Sequence, residues 1–288
     1  MEDRGVCFLK FILGLTNWYE QWELTNEAAV KADELGFWGV SMPDHYLRVG
    51  RADAGTLESW IALTHLASRT KKIHLGTMVT PIPFRPPALL AKVVASVDVI
   101  SNGRTFLGIG AGWSQKEFEA YSEWDESEVR VSKTEEGVAL ILDLWTKQRV
   151  QFQGKYYRIR GGILQPKPIQ KPHPPLLFGG YGRRMLGLAG IYGDIVFLPP
   201  DMELGFIEAK EIVLSVAERT GRASKLSFAT SCEMGGGAAK KRYNRKQFER
   251  GILAAEKNGC EHFDFSVPEE RLLHSMDDFA KNILPSFI

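Results

Sequence analysis

The chain has 288 residues, 44% of them hydrophobic and 25% charged, with a formal net charge of +1. This is the make-up of an ordinary globular protein, long enough for two domains or one large α/β barrel. The near-neutral charge gives no global field for nucleic acid or an acidic membrane surface, and the apolar runs fall short of the roughly 18–20 residues that span a bilayer.

Val6–Leu15 reads as a first strand. Acidic residues precede it and Lys10 interrupts it, so it is a poor signal peptide. Leu24–Leu35 has helical spacing and stops at Gly36, and Phe37–Met42 is a second strand running into Pro43-Asp44-His45-Tyr46. Thr56–Ser68 is the second helix. Leu75–Val79 is a third strand, followed by a segment that Pro81, Pro83, Pro86 and Pro87 keep irregular. Ala88–Ile100 is a helix closed by Asn102-Gly103, and Thr105–Ile109 is a fourth strand ending in Gly108-Ile109-Gly110-Ala111-Gly112.

Trp113–Ser132 reads as an irregular insertion rich in acidic and aromatic residues, placed to act as a lid. Lys133–Lys147 follows as a helix. Residues 150–160, with Gly154-Lys155 at the centre, form a small hairpin. A proline-rich linker, Pro166–Pro175, delivers the chain to a fifth strand, Leu176–Phe178. The strands Asp194–Leu198, Leu226–Ser231 and Cys260–Phe265 then alternate with the helices Arg183–Ile191, Leu204–Arg219, Tyr243–Lys257 and Leu272–Leu284. Strict alternation of eight buried strands with helices argues for a single (β/α)8 TIM barrel over residues 1–288. An open doubly wound sheet fits less well, because no linker or composition shift divides the chain.

Cys7, Cys232 and Cys260 are odd in number and lack metal-ligand spacing, which places the chain in a reducing cytoplasm with buried thiols and no metal. Gly108-x-Gly110-x-Gly112 is not the dinucleotide fingerprint, whose spacing differs, and reads as a bare strand end against which a flat ligand can lie. Gly179-Gly180-Tyr181-Gly182 follows a strand and opens a helix, where free N–H groups suit an anion. A tight connection with no ligand explains it equally well. His45 is the one histidine in a loop at the rim of the barrel, able to bond a cofactor ring or move a proton. Lys240-Lys241-Arg242, after the triple glycine Gly235–Gly237, reads as a solvated helix start. Of seven tryptophans, Trp18 and Trp113 stand at strand ends and can wall a flat aromatic ligand.

Five segments, Phe37–Tyr46, Ile73–Arg85, Asn102–Trp113, Leu144–Tyr157 and Leu164–Gly180, together resemble the bacterial luciferase-like monooxygenase superfamily, in particular its branch using the deazaflavin coenzyme F420. The resemblance implies a (β/α)8 barrel with the cofactor across its C-terminal mouth. It implies a bulge at Thr77-Met78-Val79-Thr80 under the central ring, with a non-proline cis peptide at Met78–Val79. Asp44-His45 matches the family's Asp-His, the histidine serving proton transfer. Gly179, Gly180, Tyr181 and Gly182 would take the cofactor phosphate, and Ala111-Gly112 would line the ring. Sugar-phosphate dehydrogenases of the family carry a glutamate where this chain has Trp113, which argues against that substrate class. Pterin reductases are also relatives, but no segment here is specific to that pterin.

The expected activity is hydride transfer between the deazaflavin C5 and a small organic substrate, by a homodimer. An FMN-dependent monooxygenase on the same scaffold is the second reading, and a flavin-binding protein without turnover the third.

Overall fold

Each barrel strand is short, from three residues at Leu176–Phe178 to six at Thr105–Gly110, and buried along most of its length. Such strands are stable only between a packed lumen and a ring of helices. In the computed structural model, which describes residues 9–232, 243–267 and 269–287, they take that arrangement. The elements in chain order are β1 (Lys10–Gly14), α1 (Trp22–Leu35), β2 (Gly39–Met42), α2 (Ser59–Arg69), β3 (His74–Thr77), β4 (Thr80–Pro81) and α3 (Pro87–Ile100). Then come β5 (Thr105–Gly110), α4 (Gln115–Tyr121), α5 (Ser127–Thr146), β6 (Val150–Gln153), β7 (Arg158–Gly162), β8 (Leu176–Phe178) and α6 (Arg183–Tyr192). β9 (Ile195–Phe197), α7 (Phe206–Arg219), β10 (Ser227–Ser231), α8 (Arg245–Lys257), β11 (His262–Phe265) and α9 (Leu272–Asn282) complete the described chain.

Parallel pairing runs β3-β2-β1-β11-β10-β9-β8-β5, and β5 pairs back onto β3 through Leu75 opposite Thr105, closing a barrel of eight strands. The expected (β/α)8 barrel is therefore present. The lumen is filled by Ile12, Phe106, Leu177, Ile195 and Ala229, with Trp38, Met78, Val79 and Phe197 packed against them. Phe106 reaches so far inward that a Cβ at Gly76 would lie 2.4 Å from its ring. Outside, small residues on the helices, such as Ala28, Ala29 and Ala32 of α1, let the helix backbones approach the sheet. The hairpin is the antiparallel pair β6–β7.

Two expectations need correction. Trp113–Ser132 is not irregular, since α4 lies inside it and α5 begins at Ser127. The buried face of α4 carries Glu117 and that of the first turns of α5 carries Arg130 and Thr134, so the apolar period becomes visible only from Val138 onward. The third strand ends at Thr77 rather than Val79, and β4 begins at Thr80, with a cis peptide at Met78–Val79 between them. Cys7, Gly235–Gly237 and Lys240–Arg242 lie outside the described residues.

The N-terminal end of the lumen is closed by rings. Trp38 stacks on His74 with centroids 4.5 Å apart, and its edge meets His262 at 4.7 Å. His262 is 2% exposed and neither of its ring nitrogens has a hydrogen-bond partner. Burial, with smaller contributions from Lys10 and His74, pushes its imidazole down to about 3. An unfolded histidine titrates near 6.5, so between these values the unfolded chain binds the extra proton. Stability from this group is complete above pH ~6.5 and is lost as pH falls toward ~3. A His262→Leu variant is expected to show a flatter melting temperature between pH 7 and 4 than the parent chain. Equal slopes would assign the acid sensitivity to another group.

Candidate active site

The chain's chemistry-bearing loops gather where the strands end. Just past β3, Met78 N–H donates to Met42 O across to β2 at 2.9 Å, and the Val79 side chain lies against β5 and the end of β8. A Cβ built on Gly108, Gly110 or Gly179 would lie 3.2, 2.6 or 2.7 Å from a Val79 methyl carbon, and the one on Gly108 would be 1.9 Å from Thr77 O. The glycines in the last part of β5 and just after β8 are thus required by the bulge itself. This corrects the expectation that Gly108 and Gly110 form a bare wall for a ligand: Thr77 and Val79 take that space.

The bulge is tied down from behind. Thr77 and Thr80 share a hydroxyl hydrogen bond of 2.9 Å, Thr80 donates to Asp44 at 2.7 Å, and Trp60 Nε1 donates to Thr80 at 3.2 Å. Arg85 grips Asp44 with both terminal nitrogens, at 2.5 and 2.9 Å, and reaches Glu58 at 3.2 Å. Burial opposes the charge on Arg85, but the hydrogen bonds and negative charge of Asp44 hold it well above its ordinary value. Burial pushes the Glu58 carboxyl up. Asp44 is 1% exposed. Its oxygens, expected at the cofactor, bond Arg85 and Thr80 and so anchor the bulge, together with Thr77 and Thr80, both fully buried.

His45 is next to this anchor and its side chain is 19% exposed. Its Nδ1 lies 2.6 Å from Oε2 of Glu117 on α4. The other oxygen of Glu117 accepts the backbone N–H groups of Tyr46 and Leu47 at 2.8 and 3.0 Å. Glu117 is 2% exposed; burial raises its pKa, yet the hydrogen bonds from His45 and Leu47 outweigh that and hold the carboxyl below its usual range. Trp113, 64% exposed, meets the His45 ring edge-on at 5.6 Å. The Arg48 guanidinium covers the Trp18 ring at 3.5 Å.

Glu117 is the residue that sequence reasoning missed. Ser114 and Glu117 have the spacing of a capping box, which would have marked the start of α4. α4 is docked by Phe118, whose ring would meet a Cβ on Gly112 at 2.4 Å and which packs 4.4 Å from Phe84. Gly112 also has φ +83°, so a side chain there is excluded twice.

Beside the bulge is a cavity of about 420 Å³, within the range of small-molecule sites. Met78, Gly14, Ser41, Phe197, Asp264 and Ser266 line it. A larger cleft of about 710 Å³ opens between β10 and α8, and neither Met78 nor His45 borders it. Gly179–Gly182 leads into α6, where Gly182 has open space around it and Tyr181 is exposed. Gly180 is held close by Met185, 2.9 Å from where its Cβ would stand. Ala111 is half-buried beside Gly112.

Comparison with known proteins bears on this arrangement. The sequence profile described as luciferase-like monooxygenase matches residues 4–237. An F420-dependent glucose-6-phosphate dehydrogenase of Amycolatopsis mediterranei is 35% identical over 172 residues, covering 58% of this chain and 50% of that one. An FMNH2-dependent dimethylsulfone monooxygenase of Pseudomonas putida is 30% identical over 168 residues, covering 58% and 46%. The chain thus spans about half the length of these curated relatives. Among solved structures, an F420-dependent secondary alcohol dehydrogenase in complex with an F420-acetone adduct superposes with a TM-score of 0.84. At 22% identity it covers 98% of this chain and 99% of its own, a likeness of fold.

The anchor makes a direct prediction. Arg85→Ala leaves Asp44 buried without its counter-charge, and breaking such a pair costs about 3–5 kcal/mol. Urea unfolding should show a loss of that order, and Arg85→Met with Asp44→Asn a smaller one. A loss under about 1 kcal/mol for Arg85→Ala would place the pair among weak surface bridges.

Proposed function

The chain belongs to the luciferase-like monooxygenase family, and from that membership we propose that it is an oxidoreductase using coenzyme F420. It moves a hydride between the deazaflavin C5 and a small organic substrate. The observation that carries this reading is the pairing of His45 with the buried Glu117 at the same rim as the cis Met78–Val79 bulge and its cavity.

The residues present fit such a cofactor. The cavity beside Met78 has room for a flat ring, and Gly14 on its wall stands where a Cβ would strike Ser266 Oγ at 2.2 Å. When bound, the deazaflavin supplies a carbon centre that exchanges hydride and does not activate oxygen as a flavin does. Met78 and Val79 would support the ring, Ala111 and Gly112 its edge. The loop Gly179–Gly182 with the first turn of α6 would take the phosphate. Asp44, Thr77 and Thr80 hold the bulge in shape from behind. His45 carries the proton that accompanies hydride transfer, and Trp113 lies where it can cover the reacting pair and exclude water.

An FMN-dependent monooxygenase is the second reading, favoured by the similarity to the FMNH2-dependent relative over much the same share of this chain. The reading also includes a cytoplasmic homodimer, supported by the burial of Cys232 and Cys260 outside any disulfide and by Ile61 of α2 and Leu89 of α3, both strongly exposed. It includes no metal, nucleic-acid or membrane partner.

Parallel fluorescence titrations with F420, FMN and FAD test the choice, because Trp113 reports a ring bound beside His45. F420 is expected to quench most strongly, with the signal reduced in Trp113→Phe. Tighter FMN binding would transfer the proposal to the monooxygenase reading, and binding without turnover of any substrate would favour a flavin-binding protein. His45→Ala is expected to lower kcat by about 10²–10⁴-fold, as loss of a general acid–base does, and to leave F420 affinity within threefold. Unchanged turnover would remove His45 from the chemistry.

A further inference from the structure

We propose that Glu117 is a positioning residue that sets the tautomer of His45: it takes the proton on Nδ1 and leaves Nε2 as a bare acceptor. The argument begins with what the carboxylate touches. Oε2 faces His45 Nδ1 at 2.6 Å, while Oε1 accepts two consecutive backbone N–H groups, those of Tyr46 and Leu47. Two backbone donors converge on Oε1, an arrangement that favours the ionised form. An ionised carboxylate can only accept, so the short contact to Nδ1 requires the hydrogen to be on the imidazole. The hydrogen bond made by one ring nitrogen decides the state of the other.

The orientation is fixed together with the tautomer. The backbone of Tyr46 and Leu47 holds the Glu117 carboxyl plane, and the Tyr46 ring stacks on Phe84 with centroids 5.0 Å apart. Asn17 Nδ2 donates to His45 O at 3.3 Å and to Leu57 O at 2.7 Å, holding the other side of the loop. The imidazole therefore has little freedom to turn its Nδ1 outward. A proton arriving at Nε2 creates an imidazolium whose charge is balanced by Glu117 without rearrangement. This is the division of labour between carboxylate and imidazole in the serine-protease triad.

The inference rests on the preceding functional reading only for the identity of the reaction; the tautomer can be measured on the full chain without cofactor. In ¹⁵N-histidine-labelled protein, long-range ¹⁵N–¹H correlation spectra distinguish the two neutral forms. The His45 signals are assigned by their loss in His45→Asn. The parent chain is expected to show Nδ1–H. In Glu117→Gln the carbonyl oxygen can still accept from Tyr46 and Leu47, so the fold is retained, while the amide NH2 now confronts Nδ1 and forces the hydrogen to Nε2. With F420 and a substrate, the same variant should lose about 10²–10⁴-fold in kcat with KM within threefold, as expected for a wrong tautomer. A purely structural role would move neither the tautomer nor kcat alone. Nε2–H in the parent chain, or an unchanged tautomer in Glu117→Gln, overturns the proposal. The expected tautomers in a protein that turns over no substrate with F420 would support it and defeat the functional reading instead.

Discussion

The buried pair of Arg85 and Asp44 is the constraint on which the mouth of the barrel depends. Asp44 is in the loop after β2, Thr80 belongs to the bulge after β3, and Glu58 caps α2, where its carboxylate accepts the N–H of Ile61. One guanidinium and one carboxylate thus hold three separate segments in register. A pair this deep is expensive to desolvate and repays that cost only with full hydrogen bonding, which Thr80 helps to complete. The anchor fixes the β2 loop from which His45 projects and the bulge from which Met78 faces the cavity.

Two further contacts extend this frame. Val79 wedges between β5 and β8 and removes any room for side chains at Gly108, Gly110 and Gly179. Glu117 reaches back from α4 to the loop after β2, so the fourth βα connection supports the second. The glycines, the bulge and the acid are parts of one packing solution. A site built on interlocked rigid elements keeps donor and acceptor atoms placed without help from the ligand.

The barrel was legible because each strand is a short apolar run and each helix stops at a recognisable signal, such as Gly36 in the left-handed conformation at +81°. The places where reading failed have a common physical cause. A carboxylate in a loop looks the same whether it faces a ligand or an arginine, so the arginine that Asp44 holds, 41 residues away, was not visible in the sequence. Glu117 lies 72 residues from His45, and nothing local ties them. The glycine spacing at the end of β5 was visible, but its reason, the Val79 side chain, belongs to the bulge after another strand. Even the start of α5 was hidden, because Arg130 spends its buried guanidinium on Gly112 O and the Trp124 ring instead of showing an apolar face.

The reach of Glu117 from one connection to another bears on how this scaffold can diversify. In barrels of this kind the loops are treated as interchangeable parts, each free to acquire a new shape while the strands stay constant. Here the segment between β5 and α5 is not such a part, since it carries the acid that His45 faces. A graft of that segment from a relative, made to admit a different substrate, would import a new wall and discard the imidazole's counterpart in the same step. Recombination at this point therefore has to be judged as a change of chemistry as well as of shape, and exchangeable modules on this barrel should be cut with the second and fourth connections kept together.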